Sequence, residues 1–201
     1  NLVFIEFNRK KDGSLNNLPE KHVDTGMGLE RLSMAIDSLK STYDTNIFKS
    51  IITSLENISG KKYGERKDIN IAFRVICDHI RAIVFTVSDG SIPSNNKSGY
   101  VVRRILRRAV RYGYSTLNLG MPFLNELSES VINEYKSIFK NLIEQKKFIK
   151  EVILEEEKTF LTTLEKGLKR IKDYDHNKDK VSGDLVFELY DTYGFPIDLT
   201  E

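Results

Sequence analysis

Between Lys97 and Tyr112 the chain carries six cationic residues and no acid: Lys97, Arg103, Arg104, Arg107, Arg108 and Arg111. At about 100° per residue the five arginines fall within an arc of roughly 140° on a helix. Val101, Val102, Ile105, Leu106, Ala109, Val110 and Tyr112 take the rest of the circumference. A segment patterned in this way settles as a helix with one face in a core and the other cationic. Ordinary solvated faces mix signs to gain i, i+4 pairs, and five arginines side by side repel one another until something anionic neutralises them. Two sources of negative charge fit: nucleic-acid phosphates, or glutamates of this chain such as Glu151, Glu155, Glu156 and Glu157. Because the net charge of the 201 residues is only +2, the field is local rather than a general stickiness.

Around this helix the chain reads as mainly α. Residues 1–8 are rich in Val, Ile and Phe and read as a strand, Asp12-Gly13-Ser14 as a turn, and Pro19 to Asp24 as an extended return. Gly26 and Gly28 then break the chain, and Leu29, Leu32, Ile36 and Leu39 follow a helical period. Asp44 is placed to cap a helix ending at Ser59-Gly60, and Asp68 one ending at Ser88-Asp89-Gly90. The arginine helix is expected over about 100–112, a further helix after Pro122, a long one over about 145–174, a polar loop over 173–183 and a short helix over about 184–192. Composition shifts near residue 40, which divides the chain into 1–40, a sheet-containing piece, and 41–201, all helical.

Several classes of protein are excluded early. One cysteine, Cys77, leaves no internal disulfide and no cysteine-based zinc site. His22, His79 and His176 are scattered, so no metal cluster is expected. The longest uncharged apolar stretch, Ala82 to Val87, is far short of the roughly 20 residues a bilayer span needs. Leu2-Val3-Phe4-Ile5 has no basic run before it and is not a signal peptide. The abrupt start at Asn1 suggests a piece of a longer protein.

Besides the arginine helix, three segments are candidates for chemistry. In Asp24-Thr25-Gly26-Met27-Gly28-Leu29-Glu30-Arg31 the glycines admit close backbone approach, and the following helix offers unpaired N–H groups to an anion, with Arg31 beside them. Asp24, at a strand end, suits an ammonium. The pattern fails the dinucleotide fingerprint because Arg31 stands where a third glycine is needed, and a plain glycine turn capping a helix stays open. The polar loop Ser91 to Gly99 offers Asn95 to base edges, or is an ordinary connector. In Leu189 to Pro196 the aromatics read as packing, with Asp191 among them. The acidic run Glu155–Glu157 is expected to be a solvated face, His79 a hydrogen-bonded helix residue, and Cys77 a small buried apolar one.

The string Val23 to Arg31 resembles the third signature motif of class II aminoacyl-tRNA synthetases, and more narrowly that of the alanyl-tRNA synthetase family. Four other strings agree in order and approximate spacing: Asn1 to Phe4, Ala72 to Arg81, Asp89 to Arg104, and Tyr190 to Pro196. The resemblance implies the end of an antiparallel-sheet catalytic domain over 1–40 and a helical domain for the tRNA acceptor stem over 41–201. It implies a parent alanine–tRNA ligase that activates alanine with ATP and Mg²⁺ and transfers it to tRNA(Ala), in the cytoplasm and without a membrane, the piece alone being inactive. Zinc is implied only for an editing domain, and that domain and the oligomerisation region would lie beyond Glu201. Asn1, Val3, Asp24 and Gly26 match residues of the alanine pocket, and Gly28 and Arg31 match residues that meet ATP. Asn95 and Asp191 match residues that read a G·U pair. Beside that carry-over, the charge pattern itself assigns Arg103, Arg104, Arg107, Arg108 and Arg111 to tRNA phosphates, some of them to internal pairs. The alternative is a helical RNA-binding module without catalysis.

Overall fold

The computed structural model describes residues 1–172 and 182–191. Among the described residues the chain is mainly helical with one small antiparallel sheet, and it separates into two units, 1–49 and 50–201.

In the first unit β1 (Leu2–Arg9) and β2 (Leu15–Thr25) form a hairpin. Its turn is tied by Asp12, whose Oδ1 accepts from the Ser14 N–H at 3.0 Å and the Ser14 hydroxyl at 2.7 Å, while Gly13 takes φ +86°, a conformation that favours glycine. β2 starts earlier than the expected Pro19. The ladder is regular on either side of a break between Ile5 and Phe7, opposite His22 and Asn17. Pro19 lies in that break, where its missing N–H costs the ladder nothing. After Gly28 comes α1 (Leu29–Ile36). It is shorter than the apolar period suggests because Ser38 adopts φ +53° and the Leu39 N–H returns to the Met34 carbonyl at 2.9 Å, which ends the helix. No residue of β1, β2 or α1 is buried.

A single 3-10 turn, Thr42–Asp44, precedes α2 (Asn46–Ser59). Asp44 therefore ends a turn and does not cap α2. Asp68 likewise lies inside α3 (Lys67–Ser88), whose N-cap position is Arg66. The Arg66 guanidinium forks onto Asp68 and holds that carboxyl down, at about 2.

The second unit is organised by α3. Ile69, Ala72, Phe73, Ile76, Cys77, Ile80, Ile83, Val84 and Val87 are all buried, a stripe at three- and four-residue spacing. It packs against α4 (Lys97–Leu117), α5 (Leu124–Tyr135), the one-turn α6 (Asn141–Glu144) and α7 (Lys146–Lys172). Burying each large side chain of this stripe is worth about 1.5–3 kcal/mol. Burial pushes the Cys77 thiol well above its usual range.

α4 runs past its expected end at Tyr112 because Gly113 is a packing site. A Cβ there would lie 2.4 Å from carbons of the Phe123 ring, so the glycine lets that ring close onto the helix. The helix stops at Asn118, in the left-handed conformation at φ +60°. Among the described residues the last helix is α8 (Gly183–Asp191). The polar loop expected over 173–183, apart from its last two residues, and the segment from Thr192 onward lie outside the described residues.

The acidic run of α7 is not a solvated face. Glu155 is exposed, but Glu156 and Glu157 are buried. Glu157 caps α5 from outside: its Oε1 accepts from the Phe123 N–H at 2.9 Å and the Leu124 N–H at 3.1 Å. These are donors that a helix start leaves orphaned. Burial outweighs those bonds and pushes the Glu157 carboxyl up to about 7. Both glutamates sit on the stripe marked by Ile149, Ile153, Phe160 and Leu164, which are buried, so the helical period puts them inside.

Candidate functional site

Two sets of residues stand out, one in each unit. In the hairpin, Val3 is paired with Asp24, and Leu2 with Thr25. The Gly26 N–H donates to the Asn1 carbonyl at 3.1 Å, which extends the same ladder by one step. Directly opposed residues share a face, as do residues two apart. Asn1, Val3, Asp24 and Gly26 therefore occupy one face of the open end of the hairpin. Asp24 Oδ1 accepts from the Thr25 N–H at 2.8 Å, which holds the exposed carboxylate at the strand end. Nothing among the described residues lies within 4 Å of where a Gly26 Cβ would be.

α1 follows at once, with Gly28 at its N-cap and no side chain bonding the cap. Its first intrahelical bond is Leu32 N–H to the Gly28 carbonyl at 3.0 Å, so the N–H groups of the first turn are not consumed within the helix. Arg31 is exposed there and has no ion-pair partner among the described residues. A cation and helix N–H groups beside a carboxylate-bearing strand end suit a ligand with both a phosphate and an ammonium.

In the helical unit the five arginines of α4 do not behave alike. Arg103 and Arg107 turn onto Glu156, with Arg103 Nη2 to Oε2 at 3.0 Å and Arg107 Nε to Oε1 at 2.9 Å. The Arg107 guanidinium also lies 5.2 Å from the Phe160 ring centre. Arg111 is only 7% exposed and sits 4.7 Å from the Tyr112 ring centre. Arg104 and Arg108 are exposed; Arg104 lies 5.8 Å from the Tyr100 ring centre. Arg108 contributes, after His79 and Arg81, to holding the Asp78 carboxyl below its usual range. Arg103 and Arg107 are thus held by Glu156 and Arg111 is buried, while Arg104 and Arg108 face out.

The loop before α4 is built tightly. The Ser94 N–H donates to the Gly99 carbonyl at 3.0 Å, and the Ser94 hydroxyl donates to the Asn96 carbonyl at 3.0 Å. A Cβ on Gly99 would lie 2.4 Å from the Ile92 carbonyl oxygen, so only glycine lets the loop close onto the first turn of α4. Asn95 is exposed at the loop's edge, and its Oδ1 accepts from Arg103 Nη1. Asp191 ends α8; its side chain lies outside what the structure describes. Sequence reasoning offered the α7 glutamates as partners for the arginines while also reading Glu155–Glu157 as a solvated face; it missed the capping role of Glu157 and the packing role of Gly99. The apolar period of α7 marks the two glutamates, whereas nothing local marks Gly99.

Comparison with known proteins gives the family. Residues 1–201 match the family of class II (A) tRNA synthetases. The chain belongs to that family. Among its relatives are the alanine–tRNA ligases of Christiangramia forsetii, 49% identical over 202 residues, and Cytophaga hutchinsonii, 52% identical over 206 residues. That of Bacillus pumilus is 47% identical over 206 residues. All of this chain is covered in each case, against 23%, 24% and 23% of those relatives. The chain thus spans about a quarter of the length of the curated relatives it matches. No helix among its described residues is long and apolar enough to cross a membrane.

Proposed function

We propose that this synthetase chain is the part of a cytoplasmic alanine–tRNA ligase that joins the end of the catalytic domain to the acceptor-stem platform. The observation that carries the reading is the hairpin register: Asn1, Val3, Asp24 and Gly26 fall on one face of one sheet end.

In this reading the Asp24 carboxylate pairs with the α-ammonium of alanine, an attraction that strengthens once the rest of the catalytic domain shields the pair from water. Asn1 adds polar contacts to the amino acid, Val3 limits the pocket, and Gly26 leaves room for a methyl side chain and rejects larger ones sterically. A small pocket rejects smaller side chains poorly, one methyl being worth about 1–3 kcal/mol. Arg31 and the free N–H groups of α1 hold ATP phosphates, with Gly28 leaving room for their approach. Their exposed cation and open donors fit that group. Mg²⁺, carried on the phosphates, supplies charge neutralisation when bound. These residues orient alanine and ATP for carboxylate attack on the α-phosphate, which breaks the α–β phosphoanhydride and gives alanyl-adenylate and pyrophosphate, and positioning and charge supply the rate.

In the helical unit, Arg104 and Arg108 meet stem phosphates, which position but do not specify. Asn95 and Asp191 read the minor groove of a G·U pair, where the guanine amine is free and an RNA groove is wide enough for side chains. The test is alanine-dependent pyrophosphate exchange and aminoacylation of tRNA(Ala) by the full-length protein carrying this chain. RNA binding without either reaction would favour the non-catalytic RNA-binding module.

A further inference from the structure

Asn95 lies on the loop before α4, but what holds its side chain is on other elements. Its Oδ1 accepts from Nη1 of Arg103, two turns into α4. Nη2 of the same guanidinium donates to Glu156 Oε2 on α7 at 3.0 Å, and the other Glu156 oxygen accepts from Arg107 at 2.9 Å. Glu156 is 8% exposed, so its carboxylate is shielded and its two arginine bonds are charge-assisted. The loop's backbone is fixed independently by the close approach of Gly99 to Ile92 and Ser94. Position and orientation of Asn95 are thus both determined.

Chemistry decides which way the amide faces. Arginine has donors and no acceptor, while an asparagine amide accepts at one end and donates at the other. The end facing Arg103 must be the oxygen. The NH₂ is left over, exposed, and without a hydrogen-bond partner among the described residues. We infer that Glu156 and Arg103 are positioning residues that preset the Asn95 amide as a hydrogen-bond donor toward the acceptor stem. The inference rests on the proposed reading that Asn95 faces that stem. It narrows an amide able to donate or accept to one that donates.

The consequence for recognition is a division of labour. A minor groove presents ring-nitrogen and carbonyl acceptors together with 2′-hydroxyls, and a guanine amine as a donor. A donor-only Asn95 satisfies an acceptor and cannot meet the amine, which needs an acceptor from elsewhere. An unbraced amide could rotate and serve either group, and the site would then discriminate less. Lysine in place of Arg103 keeps the charge but lacks the planar fork that bridges a carboxylate and an amide together.

The test uses the full-length protein and RNA minihelices with a G·U or a G·C pair, each variant's acylation being referred to its own pyrophosphate exchange. Asn95→Asp keeps an oxygen toward Arg103 but replaces the outward donor with an acceptor. The G·U over G·C ratio of kcat/KM is expected to fall at least tenfold, as it does in Asn95→Ala. Arg103→Lys and Glu156→Gln are expected to lower the ratio severalfold and to add nothing to Asn95→Ala. If Asn95→Ala loses the ratio but Asn95→Asp keeps it, or Arg103→Lys and Glu156→Gln keep it, the inference is overturned and the reading of Asn95 stands. If Asn95→Ala keeps the ratio, the reading itself falls, and the inference with it. Should Glu156→Gln lower the melting temperature, Asn95→Asp still decides, because it leaves the Arg103–Glu156 pair in place.

Discussion

Phe4 in β1 is 77% exposed, whereas Phe73 in α3 is fully buried. The contrast extends to the elements around them. In the hairpin unit Leu2, Phe7, Leu15 and Val23 are also exposed, and a two-stranded sheet is at best marginally stable alone. In the helical unit each long helix sets an apolar stripe against its neighbours. The chain's stability therefore resides in the helices, while the hairpin carries the residues proposed for amino-acid chemistry. Under the proposed reading, the remainder of the catalytic domain covers the hairpin's apolar faces.

The contrast is sharpest in a pair of truncations. Phe73→Ala should cost the isolated chain about 3–5 kcal/mol in urea unfolding, whereas Phe4→Ala should stay within about 0.5 kcal/mol. Comparable losses would mean that the hairpin shares in the cooperative core.

The next largest effect depends on pH. The Glu157 carboxyl sits at about 7 in the fold against an ordinary 4.5, so the folded state holds a proton that the unfolded state has released. Stability from this group is full below about 4.5, falls as pH rises toward about 7 and is constant above, a change of about 3 kcal/mol. Glu157→Gln should flatten that fall, as read from urea midpoints at pH 5 and pH 8. Equal slopes in the two proteins would show the carboxyl to be ionised throughout.

Asp24→Asn tests the other side of the comparison. In the full-length protein it should cut kcat/KM for alanine in pyrophosphate exchange about 100-fold, since it removes one partner of a desolvated pair. The urea midpoint of the isolated chain should not move. A lost midpoint with alanine kinetics intact would reverse the roles assigned to the hairpin and the helices.

The smallest effects separate the arginines of α4. Arg104→Gln and Arg108→Gln should each reduce the salt slope of tRNA binding by a little under one. Arg107→Gln should leave the slope in place and lower stability, because it strips a partner from Glu156. Equal slopes for all three would place every arginine on the phosphates.

Much of this was legible in the residues because periodicity reports burial directly. The stripe of α3 and the strand–turn–strand–glycine–helix order of the first 40 residues follow from apolar spacing and turn chemistry alone. Helix ends were less legible. Asp44 and Asp68 have cap chemistry, but the helices begin elsewhere, at Asn46 and Lys67. α5 draws its cap from Glu157, 33 residues away from Leu124, and a local rule cannot see a partner supplied across the fold. α4 was expected to end near Tyr112 and runs on to Leu117, with Gly113 serving as a contact because Phe123 needs the space. The one-sided arginine face was visible as a pattern, but its division into paired, buried and outward residues depends on which turn of α7 packs against it.

The buried thiol at the centre of α3 has a practical consequence. Cys77 is the chain's one cysteine, fully enclosed and kept protonated by burial, whereas a reagent attacks only the thiolate. Alkylation must then wait for the helices to part. With no second thiol to compete, the labelling rate in increasing urea is a clock for the opening of this core, readable by mass alone in any variant that leaves position 77 untouched.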